Sequence, residues 1–343
     1  MDNIKELEKI LGNITTASQV KPIGVLPTGL IGVDNKVLGC GGFPRGRYIT
    51  LKAKTGAGKS SLALYLAGRV QKAGGIVAWV ESEGTFTTDY AKSCGVDVDN
   101  LDFVDNFTTG EDALYRVKQR IATNMYDLIV VDSKDYLIPE SVSAAKVERQ
   151  TQHDEQQQAK MFTSFFKSLF GGFSIRDARG KPIEGERIYI QGGKPTKDWH
   201  KLSDKKTCLL FIEHAKDNIR SMIPGATRVS GGEESKFGAT IRLGLKLQKT
   251  KKEKDKILYK EVSLFSDKNK LGLPFGSCDL LLYADGRIEE ANSEIILVDF
   301  AIEKGIMKQR GAWIYYGDEK FQGKEAASKF IEGNKELRET ILR

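Results

Sequence analysis

The string AKTGAGKS (53–60) constrains the fold of this chain more than any other. It follows YITLKA (48–53), which reads as a strand, and leads into SSLALYLAGRVQKAG (60–74), whose apolar residues recur at helical spacing. A glycine-rich turn between a strand and a helix, ending in Gly-Lys-Ser, is an arrangement that cradles phosphate. Its glycines let successive backbone N–H groups converge on an anion, and the start of the helix adds positive potential. Ala53, Lys54, Thr55, Gly56, Ala57, Gly58, Lys59, Ser60 and Ser61 are therefore expected to surround a nucleotide's phosphates. Lys59 would neutralise the β/γ charge and the Ser60 hydroxyl would hold Mg²⁺. The string departs from GxxxxGK[ST] at its first glycine, here Ala53, and alanine fits there only if φ stays below zero.

Strand-like and helix-like runs alternate beyond this turn. IVAWVES (76–82), DLIVVDS (127–133) and TCLLFIEH (207–214) read as strands, and GEDALYRVKQRIATN (110–124) and QQQAKMFTSFFKSLF (156–170) as helices. The unbroken runs LIVV (128–131) and LLFI (209–212) are typical of strands covered on both faces. The pattern predicts an α/β fold with a mainly parallel twisted sheet flanked by helices. Residues 239–247 and 257–266 read as two more strands, and the six lysines in the turn 246–256 as a solvated hairpin tip. The stretch 171–206 breaks the rhythm and reads as an inserted hairpin or mobile loop. From about 276 the pattern becomes short and mixed, with helices near 294–304 and 323–332, which predicts a small α/β C-terminal domain over 276–343. Residues 1–18 read as one short amphipathic helix within an N-terminal segment 1–24, leaving a large core over 25–275.

Composition excludes several classes. With 343 residues, 40% hydrophobic and 29% charged, the chain is ordinary for a soluble globular protein. Apolar runs of four to five residues fall far short of a membrane span. MDNIKELEKIL lacks the basic-then-apolar pattern of a signal peptide, so neither secretion nor membrane insertion is expected. Cys40, Cys94, Cys208 and Cys278 stand singly, without zinc-ligand spacing, and read as reduced thiols. The net charge of +7 suits a polyanionic partner without identifying one.

Three carboxylates join the phosphate site. Asp132 closes the strand DLIVVD, where an acidic side chain beside a P-loop holds Mg²⁺. Glu81 and Glu83 follow the intervening strand, and one carboxylate there can orient and deprotonate an attacking water. Residue type alone leaves open which of the two does so.

Several longer strings together are specific. LPTGLIGVDNKVLGCGGFPRGRYITL (26–51), DYAKSCGVDVDNL (89–101), YDLIVVDS (126–133), SGGEESKFGATIRL (230–243), KNKLGLPF (268–275) and GAWIYYGDEKFQGKEAA (311–327) resemble segments of the RecA family of homologous-recombination ATPases. The likeness covers about residues 25–335, and His214 resembles the phage branch more than the bacterial one. It implies a RecA-like P-loop ATPase core with a small C-terminal domain, using ATP and Mg²⁺. Glu83 lies 24 residues after Lys59, the family's spacing for the catalytic glutamate, so Glu83 rather than Glu81 is implied as the base. Tyr90 falls where a tyrosine stacks on adenine, and Thr87 where bacterial members carry an aspartate facing it. His214 occupies the place of a glutamine sensor that joins the γ-phosphate to a DNA-binding loop. Lys268 and Lys270 match lysines that reach a neighbouring subunit's ATP, while Lys236, Phe237 and Arg242 match a segment along the subunit interface. The segment 1–24 would make a further subunit contact.

Two loops are implied to line DNA. The first lies within 140–159 and leads to Lys160 at the start of the next helix. The second is AKDNIRSMIPGATRVSGG (215–232). In it Lys216, Arg220 and Arg228 can neutralise phosphates, Ile219 falls at a base-separating wedge that Met222 or Ile223 can share, and Gly231 and Gly232 close the loop. The insert 171–206 carries nine Lys/Arg against five acids, with Tyr189 and Trp199 interleaved. Such a composition can extend the DNA groove, the alternatives being a solubilising loop or a partner contact. The chain ends without an acidic tail, so autoinhibition by such a tail is not expected.

The reading is an ATP-dependent recombinase that forms a helical filament on single-stranded DNA and exchanges strands with homologous duplex DNA, in recombination and repair. Hydrolysis to ADP and phosphate would depend on single-stranded DNA. Single-strand-binding and loader proteins are implied as further partners, no membrane is, and the setting is cytoplasmic, in a bacterium or in a phage's host. The alternatives are a RecA-fold hexameric helicase or motor, a binding-only recombination mediator, and a non-DNA ATPase. KNKLGLPF and the GAW segment weigh against the first, intact Lys59, Glu83 and Asp132 against the second, and the basic loop 215–232 against the third.

Overall fold

The structure is a computed structural model. It describes residues 16–143, 152–185, 187–191, 194–217, 227–228, 238–254 and 256–342. The expected helix over 1–18 lies almost wholly outside the described residues.

A nine-stranded sheet organises the larger part of the chain. Its order is Ile288–Glu290, Ser277–Tyr283, Lys256–Asn269, Ile241–Glu253, Tyr48–Ala53, Cys208–His214, Leu128–Asp132, Val77–Glu81 and Leu101–Val104. Pairing is parallel from Ile241–Glu253 through Leu101–Val104, and antiparallel among the other strands. The unbroken apolar runs have a direct cause. Along Cys208–His214, Leu210 and Ile212 enter one core cluster while Leu209 and Phe211 enter the other. Successive strand side chains point to opposite faces, and both faces are covered, so the run 208–212 is apolar on both sides. The first cluster takes Leu62 and Leu66 from the helix Lys59–Lys72. The second takes Val117 from the helix Gly110–Thr123 and Phe162, Phe166 and Leu169 from the helix Gln152–Gly171. Phe166 stacks on Tyr48 with ring centroids 4.5 Å apart, which fixes that helix against the phosphate-loop strand.

The sheet extends past residue 276, where the sequence places the start of the small domain. Ser277–Tyr283 and Ile288–Glu290 add its antiparallel edge. Their pattern looks short and mixed because buried and partly exposed residues alternate along them. A third, separate core begins at Leu297 and joins the helices Ser293–Glu303, Lys324–Gly333 and Lys335–Leu342 to the sheet Lys308–Arg310, Trp313–Tyr316, Glu319–Gln322.

Of the two readings of the stretch 171–206, its described residues take the hairpin. They form a three-stranded antiparallel sheet ordered Phe173–Ser174, Lys194–His200, Arg187–Gln191. The Arg176 carbonyl accepts from Gln119 Nε2 at 2.7 Å and from the Tyr115 hydroxyl at 3.4 Å, which seats the insert on the helix Gly110–Thr123. The lysine-rich stretch 246–256 is the solvent-exposed outer end of two long paired strands, turning at Lys254 with φ 53°.

Candidate active site

Register brings the site together. His214 pairs with Ala53 and Glu81 with Asp132, so the phosphate loop and three carboxylates meet at the C-terminal ends of adjacent parallel strands. Ala53 is the buried last residue of its strand and is absent from the residues with positive φ, so alanine replaces the first glycine without strain. Gly56 and Gly58 do need glycine, with φ of 79° and 95°. A Cβ on Gly58 would also lie 2.3 Å from Leu282 Cδ2, whereas one on Gly56 would meet nothing within 4 Å, on the open side of the loop.

A cleft of about 210 Å³ opens beside this loop, lined among others by Thr55, Lys59, Ser60, Ser61, Glu83 and His214. Lys59 is buried, and its Nζ donates to the Ala53 carbonyl at 3.2 Å. Burial pulls its pKa down, opposed by Asp132, Glu83 and Asp135. Asp132 is 2% exposed, and burial pushes its carboxyl up to about 7 against a hydrogen bond from Ser60, with Glu81 and Glu83 adding to the rise. Its Oδ1 is buried without a hydrogen-bond partner. A buried carboxylate oxygen left over beside a hydroxyl is a donor set that fits a divalent cation.

Glu81 and Glu83 separate cleanly. Glu81 is buried and fully engaged: Oε2 accepts from Trp79 Nε1 at 3.0 Å, and Oε1 from the backbone N–H groups of Glu83 at 3.2 Å and Thr85 at 3.1 Å. It shapes the turn that presents Glu83. Glu83 instead faces the cleft, with Oε2 3.3 Å from His214 Nε2. The His214 backbone N–H donates to Asp135 Oδ2 at 2.7 Å, and Tyr136 meets the imidazole edge-on at 5.9 Å. Tyr90 is half-exposed on the helix Thr88–Ser93, its hydroxyl 2.6 Å from Ser61 Oγ. Lys260 is a contact the sequence did not single out: its Nζ donates to the Gly56 carbonyl at 2.7 Å from the outer part of Lys256–Asn269.

The remaining expected residues fall in three places. Lys268 and Arg242 are cross-strand partners, and burial together with Lys270 and Arg242 lowers the Lys268 pKa to about 8. Lys216 pairs with Arg228 in a two-stranded stem, Lys216–Asp217 with Thr227–Arg228, so these two parts of the loop 215–232 stand together beyond His214. Lys160 is exposed on the helix Gln152–Gly171. Ile219, Arg220, Met222, Ile223, Gly231, Gly232, Lys236 and Phe237 lie outside the described residues. The insert is not gathered with these loops. The helix Gln152–Gly171 has 20 residues and carries the chain about 30 Å away before the insert begins. At the far end, the Leu202 and Lys205 carbonyls crowd Gly46, beside the start of the strand Tyr48–Ala53 and opposite the phosphate loop.

With this geometry in view, comparisons with known proteins decide the family. The RecA N-terminal domain model matches residues 2–179, and the RecA C-terminal domain model matches residues 296–343. The chain belongs to the RecA family. Curated RecA relatives agree along most of its length. A RecA from Nocardioides sp. is 30% identical over 319 residues, covering 92% of this chain and 80% of that protein. One from Acidothermus cellulolyticus is 31% identical over 323 residues (93% and 82%), and one from Bacteroides thetaiotaomicron 30% identical over 325 residues (94% and 87%). The solved structure of the RadB recombinase superposes with a TM-score of 0.51 at 15% identity, covering 78% of this chain and 100% of that one, a likeness of fold. The RecA-like core, the small C-terminal domain and a place among DNA-recombination ATPases stand on these matches. Among the described residues, no helix is long and apolar enough to cross a membrane.

Proposed function

We propose that the protein is an ATP-dependent recombinase that polymerises on single-stranded DNA, hydrolyses ATP between subunits and exchanges strands with a homologous duplex. The observation that carries this is the contact of Glu83 with His214, because the residue facing the cleft is bonded to the residue from which the loop 215–232 departs.

The chain's own groups divide the work. The loop amides at 56–59, the start of the helix Lys59–Lys72 and the Lys59 ammonium bind the β/γ-phosphates. Ser60 and Asp132 would hold Mg²⁺, whose chemistry is to polarise a phosphoryl oxygen. Glu83 accepts the proton of the attacking water, and Glu81 holds the backbone that aims it. Movement of the loop stem alters how firmly Glu83 is held through its contact with His214. Tyr90 faces the base. Lys268 and Lys270 reach the phosphates bound by an adjoining copy, with Arg242, Lys236 and Phe237 along that interface. Lys160, Lys216, Arg220 and Arg228 neutralise the DNA backbone, and Ile219 enters the base stack. Sequence is read by base pairing, so phosphate contacts are sufficient.

Single-strand-stimulated ATP hydrolysis measured together with electron microscopy tests this reading. Helical filaments with stimulated hydrolysis support it. Closed rings would favour the helicase alternative, and DNA binding without hydrolysis the mediator.

A further inference from the structure

Lys134 and Glu213 form an ion pair in the interior, with side chains 0% and 2% exposed. Neither belongs to the phosphate site, and neither has a role in the mechanism above. Taking two charges out of water is expensive, and apolar residues of similar volume at such sites are often neutral or stabilising. Stability alone is thus a weak reason for the pair, and its placement offers a better one.

Lys134 lies two residues beyond Asp132, and Glu213 immediately precedes His214. The Lys134 ammonium also stands 5.3 Å from the ring centroid of Phe162, on the helix Gln152–Gly171 that follows the first loop. The same three elements are tied again next door. Asp135 Oδ2 accepts from the His214 N–H at 2.7 Å, and Gln158 Nε2 donates to the carbonyls of Asp135 and Leu137, both at 3.1 Å. One charge thus touches the segment after the metal-holding aspartate, the strand that ends in His214 and the helix rooted at the first loop.

We propose that Lys134 and Glu213 are positioning residues that lock these three elements in one register, so that occupation of the loops by single-stranded DNA is transmitted to Glu83 and Asp132. A contiguous packed, charge-paired network of this kind can carry coupling between two sites. The inference rests on the recombinase reading.

The test compares the full-length protein with the Lys134→Met/Glu213→Leu double variant, which removes both charges together. Melting and ATP hydrolysis are measured with and without oligodeoxythymidylate. The double variant should melt within a few degrees of the unaltered protein and hydrolyse ATP without DNA at nearly its rate, while stimulation by oligodeoxythymidylate falls by about tenfold or more, within the usual range of allosteric coupling. Glu213→Gln, which keeps an acceptor for the ammonium, guards against a folding failure of the double variant and should lose stimulation partially. Equal loss of DNA-free and DNA-stimulated rates would mark the pair as merely structural and overturn the inference, as would undiminished stimulation in both variants. No stimulation of the unaltered protein would overturn the recombinase reading and the inference with it.

Discussion

Glu83 Oε2 lies 3.3 Å from Nε2 of His214, across 131 residues of sequence, and Glu81 turns away from both to bond Trp79 and the backbone of Glu83 and Thr85. Two glutamates separated by a single residue, Ser82, thus have opposite surroundings. Glu83→Gln should lower ATP turnover by roughly 10²–10⁴-fold, the usual worth of a general base, with nucleotide affinity retained. Glu81→Ala should instead cost about 1–3 kcal/mol of stability and lower the melting temperature, because it leaves the buried Trp79 donor and two partly buried backbone N–H groups without their acceptor. Turnover, nucleotide binding and calorimetry on the two variants check the division.

The proposed phosphate site turns on Lys59, whose ammonium is buried and donates to the Ala53 carbonyl. Lys59→Ala should abolish hydrolysis and weaken nucleotide binding while melting stays near that of the unaltered protein. Hydrolysis that persists in this variant would remove the site assignment.

Charge placement separates the two basic regions. The stem of the loop 215–232 sets Lys216 opposite Arg228, whereas the insert sits at the other end of the helix Gln152–Gly171. Lys216→Gln/Arg228→Gln should flatten the dependence of single-strand affinity on salt by about 1–2 in log–log slope. Lys181→Gln/Lys197→Gln/Lys201→Gln in the insert should leave that slope essentially unchanged. Binding titrations at several salt concentrations read both.

Asp34 links stability to pH away from the site. Burial pushes its carboxyl up to about 6, opposed by hydrogen bonds from Thr28 and assisted by the charge of Glu290. The folded state therefore holds a proton that the unfolded chain has released. The resulting stability is fully present below about pH 4 and is lost as the pH rises through about 6, by on the order of 2–3 kcal/mol. Asp34→Asn should melt with a smaller decline between pH 4 and 7 than the unaltered protein, as calorimetry across that range would show.

The parallel core was legible because its strands are covered on both faces and so read as continuous apolar runs. The strand Leu101–Val104 was not, since it is an edge with exposed Phe103 and the charged Asp102. The sheet's antiparallel edge at 277–290 was read as part of the small domain, because alternating half-buried strands resemble a change of domain. In the site, the glycine-rich loop and Asp132 are local signals, while the choice of Glu83 over Glu81 rests on the family resemblance. The burial of Lys134 against Glu213 and the reach of Lys260 to Gly56 are not, because each depends on a partner 79 and 204 residues away. The opposite-end placement of the insert likewise follows from helix length, which its basic, aromatic composition does not reveal.

The central claim is strand exchange driven by ATP. Circular single-stranded DNA and homologous linear duplex, incubated with the protein, ATP and Mg²⁺, should yield joint molecules and then nicked circles, with none formed by Lys59→Ala. Filament formation and stimulated hydrolysis without any joint molecules would contradict the account.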